Sequence, residues 1–445
     1  MLTPAVPADP FSKDIMHTKI DTIIIGAGQA GLATSYHLSR QGRTHLVLER
    51  AAQAAPGWRH GRWDSFTLVT PNWSFRLPGA AYDGAQPQGF MGRDEVVERL
   101  DRYIADHALP VRYNIDVTAV RRDAAGTYLV ETGEGTFEAD NVVVATGLFQ
   151  RPARHPASQR FPERILQLHS SDYRRPAALP EGAVLVVGSS QSGAQIADEL
   201  RVHGRQVYLC VGSSGRAPRS YRGRDSSEWL ELLGLAARTV DMLPSPAAKF
   251  AANPHVVGRI GGGNLNLHQF ARDGIGLLGR LVDADAGRLR LAPDLHANLA
   301  KADAFEAQFT GLVDKYIAAN DLDSPPEQLP QLTDGFSVTQ REELDLLDAG
   351  ITSVIWAAGY RFDFGLVKLP VLDSDGYPLQ KRGVTAYPGL YFVGLPWLHN
   401  QKSGLLSGMG DDAGHIAAHL AARHDRGDAM TAEGQVDVQD DIMAI

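Results

Sequence analysis

Two glycine-rich turns, each set between a short apolar strand and an Ala-rich helix, predict an α/β chain with two Rossmann-like dinucleotide-binding domains, the second inserted into a discontinuous first. Gly26-Ala27-Gly28-Gln29-Ala30-Gly31 follows the apolar run Thr22–Ile25, and Gly188-Ser189-Ser190-Gln191-Ser192-Gly193 follows Ala183–Val187. A third observation is a repeated crossing pattern of apolar strand, small residues and glycine. It occurs at Asn141–Val144 before Ala145-Thr146-Gly147, and again at Val354-Ile355-Trp356-Ala357-Ala358-Gly359-Tyr360.

Each element has a local reason. At the first turn a helical stretch, Gly31–Arg40, leads to a second strand, Thr44–Leu48, which ends in Glu49 and Arg50. The first two glycines allow a tight turn and close approach to a pyrophosphate at the helix N-terminus, and the third allows helix and strand to pack closely. Glu49 stands where an acid accepts from ribose hydroxyls. The second turn repeats this with the helix Gly193–His203 and the strand Gln206–Val211, Ser190 replacing the central glycine. No acid ends that strand. Ser213, Ser214, Arg216 and Arg219 follow instead, a set suited to a 2′-phosphate that an acid would repel, or simply a solvated basic loop.

Further along the first unit come a Trp/Pro/Arg-rich excursion (Pro56–Met91), a helix (Arg93–Ala108) and a strand set (Val111–Glu131). Leu390–Val393 adds a strand before Gly394, and a helix is predicted from Ser403 to Arg423. The expected division is 20–160 with 345–424 for the first domain and 161–344 for the second, which carries a helical insertion around Leu295–Asn320. A flexible lead-in (1–19) and a flexible acidic tail (425–445) flank them.

Composition narrows the function. A net charge of −9 across 445 residues argues against nucleic acid, and no uncharged apolar run is long enough to insert in a membrane. The start lacks a signal-peptide pattern, so a cytoplasmic protein is expected. Cys210 is the only cysteine, which excludes an intramolecular disulfide or a Cys-x-x-Cys redox pair. His255, His268 and His296 are too widely spread for a local ligand set, so no metal is expected. The oligomeric state stays open between monomer and homodimer.

Taken together, Gly26–Gly31, Glu49, Ala145-Thr146-Gly147, Gly188–Gly193 and Trp356–Tyr360 resemble the class B flavoprotein monooxygenases of the flavin-containing type, over residues 18–425. The resemblance implies FAD at the first turn and NADPH at the inserted second. It also implies a C4a-hydroperoxyflavin that transfers oxygen from O2 to a small-molecule substrate. Three places depart from the family pattern. His169-Ser170-Ser171-Asp172-Tyr173 keeps the end of the signature before the NADPH domain, but Phe161 is displaced from it and the intervening glycine is missing. Tyr173 stands where the Baeyer–Villiger branch has Trp, which favours oxygenation at nitrogen or sulfur, and Ala358 stands where the family usually has Thr. Gly394-Leu395 lacks the usual Gly-Asp, so the flavin pyrimidine would face amides at Ser403-Gly404-Leu405.

For the chemistry, Asn72 is the candidate amide beside the flavin, with a turn role after Pro71 as its alternative. His169 is the candidate contact to the dinucleotide near the inter-domain linker. Trp58, Trp63, Trp73 and Phe75 are candidates to wall a dry cavity, and Arg59 is a candidate to approach the flavin or an acidic substrate. Two other functions remain open: an NADPH oxidase or electron-transfer reductase, and a non-catalytic NADP(H)-sensing flavoprotein.

Overall fold

The computed structural model describes residues 19–258 and 264–425. The acidic tail beyond residue 425, the lead-in before residue 19 and the Gly261–Gly263 triplet lie outside the described residues.

The chain opens with β1 (Ile20–Ile25), α1 (Gln29–Arg40) and β2 (His45–Leu48). Ala30, Leu32, Ala33 and Leu38 of α1 are buried, and Gly42 leaves the helix at φ 67°, a left-handed value that glycine adopts without a Cβ clash. α2 (Arg93–Asp106) carries Asp94 and Glu95 in its first turn, which suits the positive helix end, and buries a stripe of Val96, Val97, Leu100 and Tyr103. β3 (Val111–Arg112), β4 (Val117–Arg122), β5 (Tyr128–Thr132) and β6 (Gly135–Val144) complete this stretch. The sheet order is β3-β2-β1-β6-β5-β4. β1 lies parallel to both neighbours, Ile23 facing Leu46 on one side and Val142 on the other, whereas β4, β5 and β6 pair antiparallel.

The second sheet is built from β7 (Leu166–His169), β8 (Ala183–Val187), β9 (Val207–Cys210), β10 (Gly276–Leu278) and β11 (Ile351–Trp356). Its order is β7-β11-β8-β9-β10, with every pair parallel. α3 (Gln191–Val202) links β8 to β9, and α4 (Leu295–Ala319) lies beyond β10. The chain then returns through β12 (Leu390–Phe392), parallel on β6, to α5 (Met409–Asp425). Met409, Ala413, Ile416, Ala417 and Leu420 of α5 share a core with Leu32 and Ala33 of α1.

Two boundaries differ from expectation. β11 sits inside the second sheet, between β7 and β8, so the return to the first domain falls after Trp356 and not at residue 345. A buried apolar strand ending in small residues fits either sheet, and only its partners decide which. The last helix starts at Met409, six residues after Ser403, because Gly404 and Gly408 lie in turns that glycine favours over helix. The two inter-domain crossings also meet: Arg151–Pro152 pairs antiparallel with Tyr360–Arg361, and the Ala153 amide donates to the Gly359 carbonyl at 2.9 Å.

Candidate active site

The first turn is shaped by close approach. Gly26 has φ 108°, and a Cβ there would come within 2.7 Å of the Ala145 carbonyl oxygen. At Gly31 a Cβ would lie 1.9 Å from the Gly26 carbonyl oxygen. The second turn repeats both contacts, Gly188 against Ala357 at 2.6 Å and Gly193 against Gly188 at 1.9 Å. Each turn is thus seated on the small residue that ends a crossing strand. Gly28 is different, since a Cβ there meets nothing within 4 Å. This open approach to the start of α1 fits a pyrophosphate against backbone amides.

Glu49 is buried and fixes that turn, its Oε2 accepting from the Ala27 amide at 2.8 Å and its Oε1 from the Ala51 amide at 2.9 Å. Gln29 donates to the Gly404 carbonyl at 3.2 Å and accepts from the Trp58 indole at 3.3 Å, tying the turn to the loop before α5. In the second turn the Ser189 hydroxyl accepts from the Gly212 amide at 3.0 Å, and the Gln191 amide is bonded both ways to the Val256 peptide. Ser190 is the N-cap of α3. Gly394 packs on α1, where a Cβ would meet that of Ala30 at 2.4 Å.

A cavity of about 1160 Å³ joins the two turns. Of the residues anticipated from sequence, Gly26, Gly28, Gln29, Ala30, Glu49, Arg50, Trp58, Thr146, Gly147, Gln191, Ser192, Gly394 and Leu405 line it. Trp63 also lines it, as does Tyr360 at the end of the return motif, together with Arg62 and Phe149, which sequence reasoning passed over. Arg62 follows Trp58 at helical spacing in the same Trp/Arg-rich excursion, a signal that was present and unused.

Several candidates stand elsewhere. Asn72 is 3% exposed, its amide donates to the Gln86 carbonyl at 2.9 Å, and its oxygen accepts from the Met91 amide at 2.7 Å. Both ends clamp the loop that precedes α2, which supports the turn role, and Asn72 is not among the residues that line the cavity. Arg59 is held by the Ala54 carbonyl and by Asp101 and does not line the cavity. Phe75 is buried in the core of the first domain, and Trp73 lies off the cavity wall. Ser403 is buried beneath the loop, its hydroxyl accepting from the His399 and Asn400 amides at 3.1 Å, so Leu405 and Gly404 face the cavity from a turn and not from a helix start.

His169 is fully buried at the end of β7, with Nε2 3.0 Å from the Gly359 carbonyl and Nδ1 2.9 Å from the Ser171 hydroxyl. A carbonyl only accepts, so Nε2 carries the proton, and burial lowers the ring pKa, which keeps it neutral. It thereby holds the return turn of Ala358 and Gly359.

The expected 2′-phosphate ligands are also committed. Arg216 is buried and bonded to Glu306 at 3.0 and 2.8 Å and to Asp303 at 2.6 Å. Arg219 is bonded to Asp225 at 2.6 Å and to the Val69 and Val257 carbonyls. Both guanidinium groups are buried and already paired with carboxylates. Ser213 is the exposed polar side chain at this strand end, while Ser214 is buried. Burial pushes the Cys210 thiol up to about 12, which makes it inert as a nucleophile.

His255, fully buried beside Arg216, supplies a pH signature. Burial first, and the arginine charge with it, lowers its pKa from 6.5 to about 4. The unfolded chain therefore takes up a proton that the folded one refuses. Stability is expected to fall as pH drops from 6.5 towards 4, by on the order of 3 kcal/mol from this residue. Denaturant melts of wild type and His255→Leu across that range check it. The variant should show a shallower loss, and parallel curves would refute the assignment.

The residues matched by the pyridine nucleotide-disulphide oxidoreductase family are 23–232. An uncharacterized CzcO-like oxidoreductase of Geobacillus kaustophilus is 31% identical over 402 residues, covering 89% of this chain and 97% of the relative. A flavin-containing monooxygenase from Stenotrophomonas maltophilia shares the fold at a TM-score of 0.62 and 20% identity, covering 91% of this chain and 99% of its own. S-allyl-L-cysteine S-oxygenase from Allium sativum aligns at a TM-score of 0.58 and 17% identity, covering 95% and 80% respectively. The fold and paired turns define an oxidoreductase of the two-dinucleotide, FAD- and NADPH-binding class. Within it the chain belongs to the CzcO-like oxidoreductases. With one cysteine, it has no intramolecular pair for the disulphide chemistry in the broader family's name.

Among the described residues no helix is long and apolar enough to cross a membrane.

Proposed function

We propose that the protein is an NADPH- and O2-dependent flavin monooxygenase that oxygenates a small organic nucleophile at nitrogen or sulfur. The observation that carries this reading is the cavity that reaches from Gly28 to Gln191 and is walled by Trp58, Trp63 and Phe66. Such a wall excludes water from the place where nicotinamide, flavin and substrate would meet, whereas an electron-transfer reductase needs no enclosed substrate space. FAD, when bound, supplies the oxygen chemistry. The protein's part is to hold the FAD pyrophosphate at Gly26–Gly31, to seat NADPH at Gly188–Gly193, and to keep the return turn in place through His169. The preference for nitrogen or sulfur rests on Tyr173, which marks the branch without touching substrate. It is buried with its hydroxyl on Glu199 at 2.8 Å. The S-oxygenase among the structural neighbours agrees with that preference.

Stopped-flow mixing of NADPH-reduced holoenzyme with oxygen tests the proposal. A transient band well to the blue of oxidised flavin, longer-lived with NADP⁺ present, is expected. Direct return of oxidised flavin with stoichiometric hydrogen peroxide under every condition would refute it in favour of an oxidase.

A further inference from the structure

Arg62 lines the cavity within a ring of aromatic faces, its guanidinium carbon 4.5 Å from the centre of Phe149, 5.2 Å from Trp58 and 5.3 Å from Phe66. Its hydrogen bonds go to neutral groups, the Gly61 carbonyl at 2.8 Å and the Tyr360 hydroxyl. Among the described residues it forms no ion pair with a carboxylate, in contrast to Arg216 and Arg219, which are each neutralised. Burial disfavours its charged form, with Tyr360 opposing that effect. A half-buried cation kept without a counter-ion beside a cavity is costly, and that cost is relieved when an anion arrives.

We infer that Arg62 is an anion receptor that takes the carboxylate of an organic-acid substrate, whose apolar body lies against the surrounding aromatic wall. This specifies the substrate of the monooxygenase reading and rests on it. On the same reading the dinucleotides would leave this cation free. The two pyrophosphates would be served by the helix N-termini of α1 and α3, and the 2′-phosphate end would lie near Ser213 after β9. None of the residues around Arg62 belongs to either turn or to that strand end. A carboxylate also matches a guanidinium through two parallel hydrogen bonds.

The experiment titrates FAD-loaded enzyme with benzoate, phenylacetate, phenylpyruvate and indole-3-acetate, each against its neutral amide, following the flavin absorbance. Carboxylates are expected to bind roughly 10- to 100-fold more tightly than the amides. Arg62→Gln should abolish that preference and Arg62→Lys restore part of it. The wild-type comparison needs no variant, so a poorly folding variant does not remove the test. Equal binding of acids and amides, or no binding of any acid, overturns the inference. So does an Arg62→Gln enzyme that keeps the acid preference but loses NADP⁺ affinity, which would assign the cation to a dinucleotide phosphate. The titration uses neither NADPH nor oxygen and therefore reads Arg62 even if the reduced enzyme yields only hydrogen peroxide.

Discussion

Replacing Arg216 by alanine is expected to lower unfolding stability by about 3–5 kcal/mol, because it leaves the buried Glu306 carboxylate and the neighbouring Asp303 without their cation. From the sequence, the same change would be a selective loss of NADPH affinity. The structure makes Arg216 the bolt between the loop after β9 and helix α4, so NADPH and NADH should weaken together. Arg216→Met with Glu306→Gln, which removes the buried pair and leaves only the half-exposed Asp303 beside His268, should recover much of the lost stability. Urea melts of the single and double variants, with Kd values for both nicotinamides, check this. A stable Arg216→Ala enzyme that has lost NADPH alone would return the residue to the coenzyme site.

The second large effect is at Gly28. Its Cβ direction is open, so Gly28→Leu should fold, yet the side chain would occupy the space through which amides at the start of α1 reach a pyrophosphate. Losing two charge-assisted contacts at about 1.5–3 kcal/mol each weakens FAD by roughly 100- to 10,000-fold. Purified protein should be colourless with near-normal circular dichroism. Gly31→Val serves as contrast, since its Cβ would strike the Gly26 carbonyl oxygen at 1.9 Å and the turn itself would have to move. A yellow Gly28→Leu enzyme with undiminished FAD content would displace the pyrophosphate from this turn.

What could be read from the sequence was local. The turns at Gly26–Gly31 and Gly188–Gly193, their flanking strands and Glu49 all lie within one strand-helix-strand unit, where spacing alone fixes geometry. What could not be read depends on partners distant in the chain. Nothing near Arg216 announces Glu306, and nothing near Asn72 announces that the Met91 amide and the Gln86 carbonyl of the following loop will engage its side chain. Arg62 posed the opposite problem. Its interest lies in the carboxylate that no described residue offers it, which is recognisable only once the neighbours are in place.

The paired crossings have a mechanical meaning. Two separate connections between the sheets, at Arg151–Pro152 and Tyr360–Arg361, are laced edge to edge, and His169 pins one of them at Gly359. A single tether would let one sheet swivel freely over the other. A laced pair resists torsion, because twisting would shear the hydrogen bonds between its strands, while bending across the ribbon breaks none. Arg219, whose guanidinium reaches the Val69 carbonyl at 2.6 Å, and Thr67, whose hydroxyl donates to the Gly258 carbonyl at 2.9 Å, add rivets away from the ribbon, so the two walls of the cavity are held against rotation over one another.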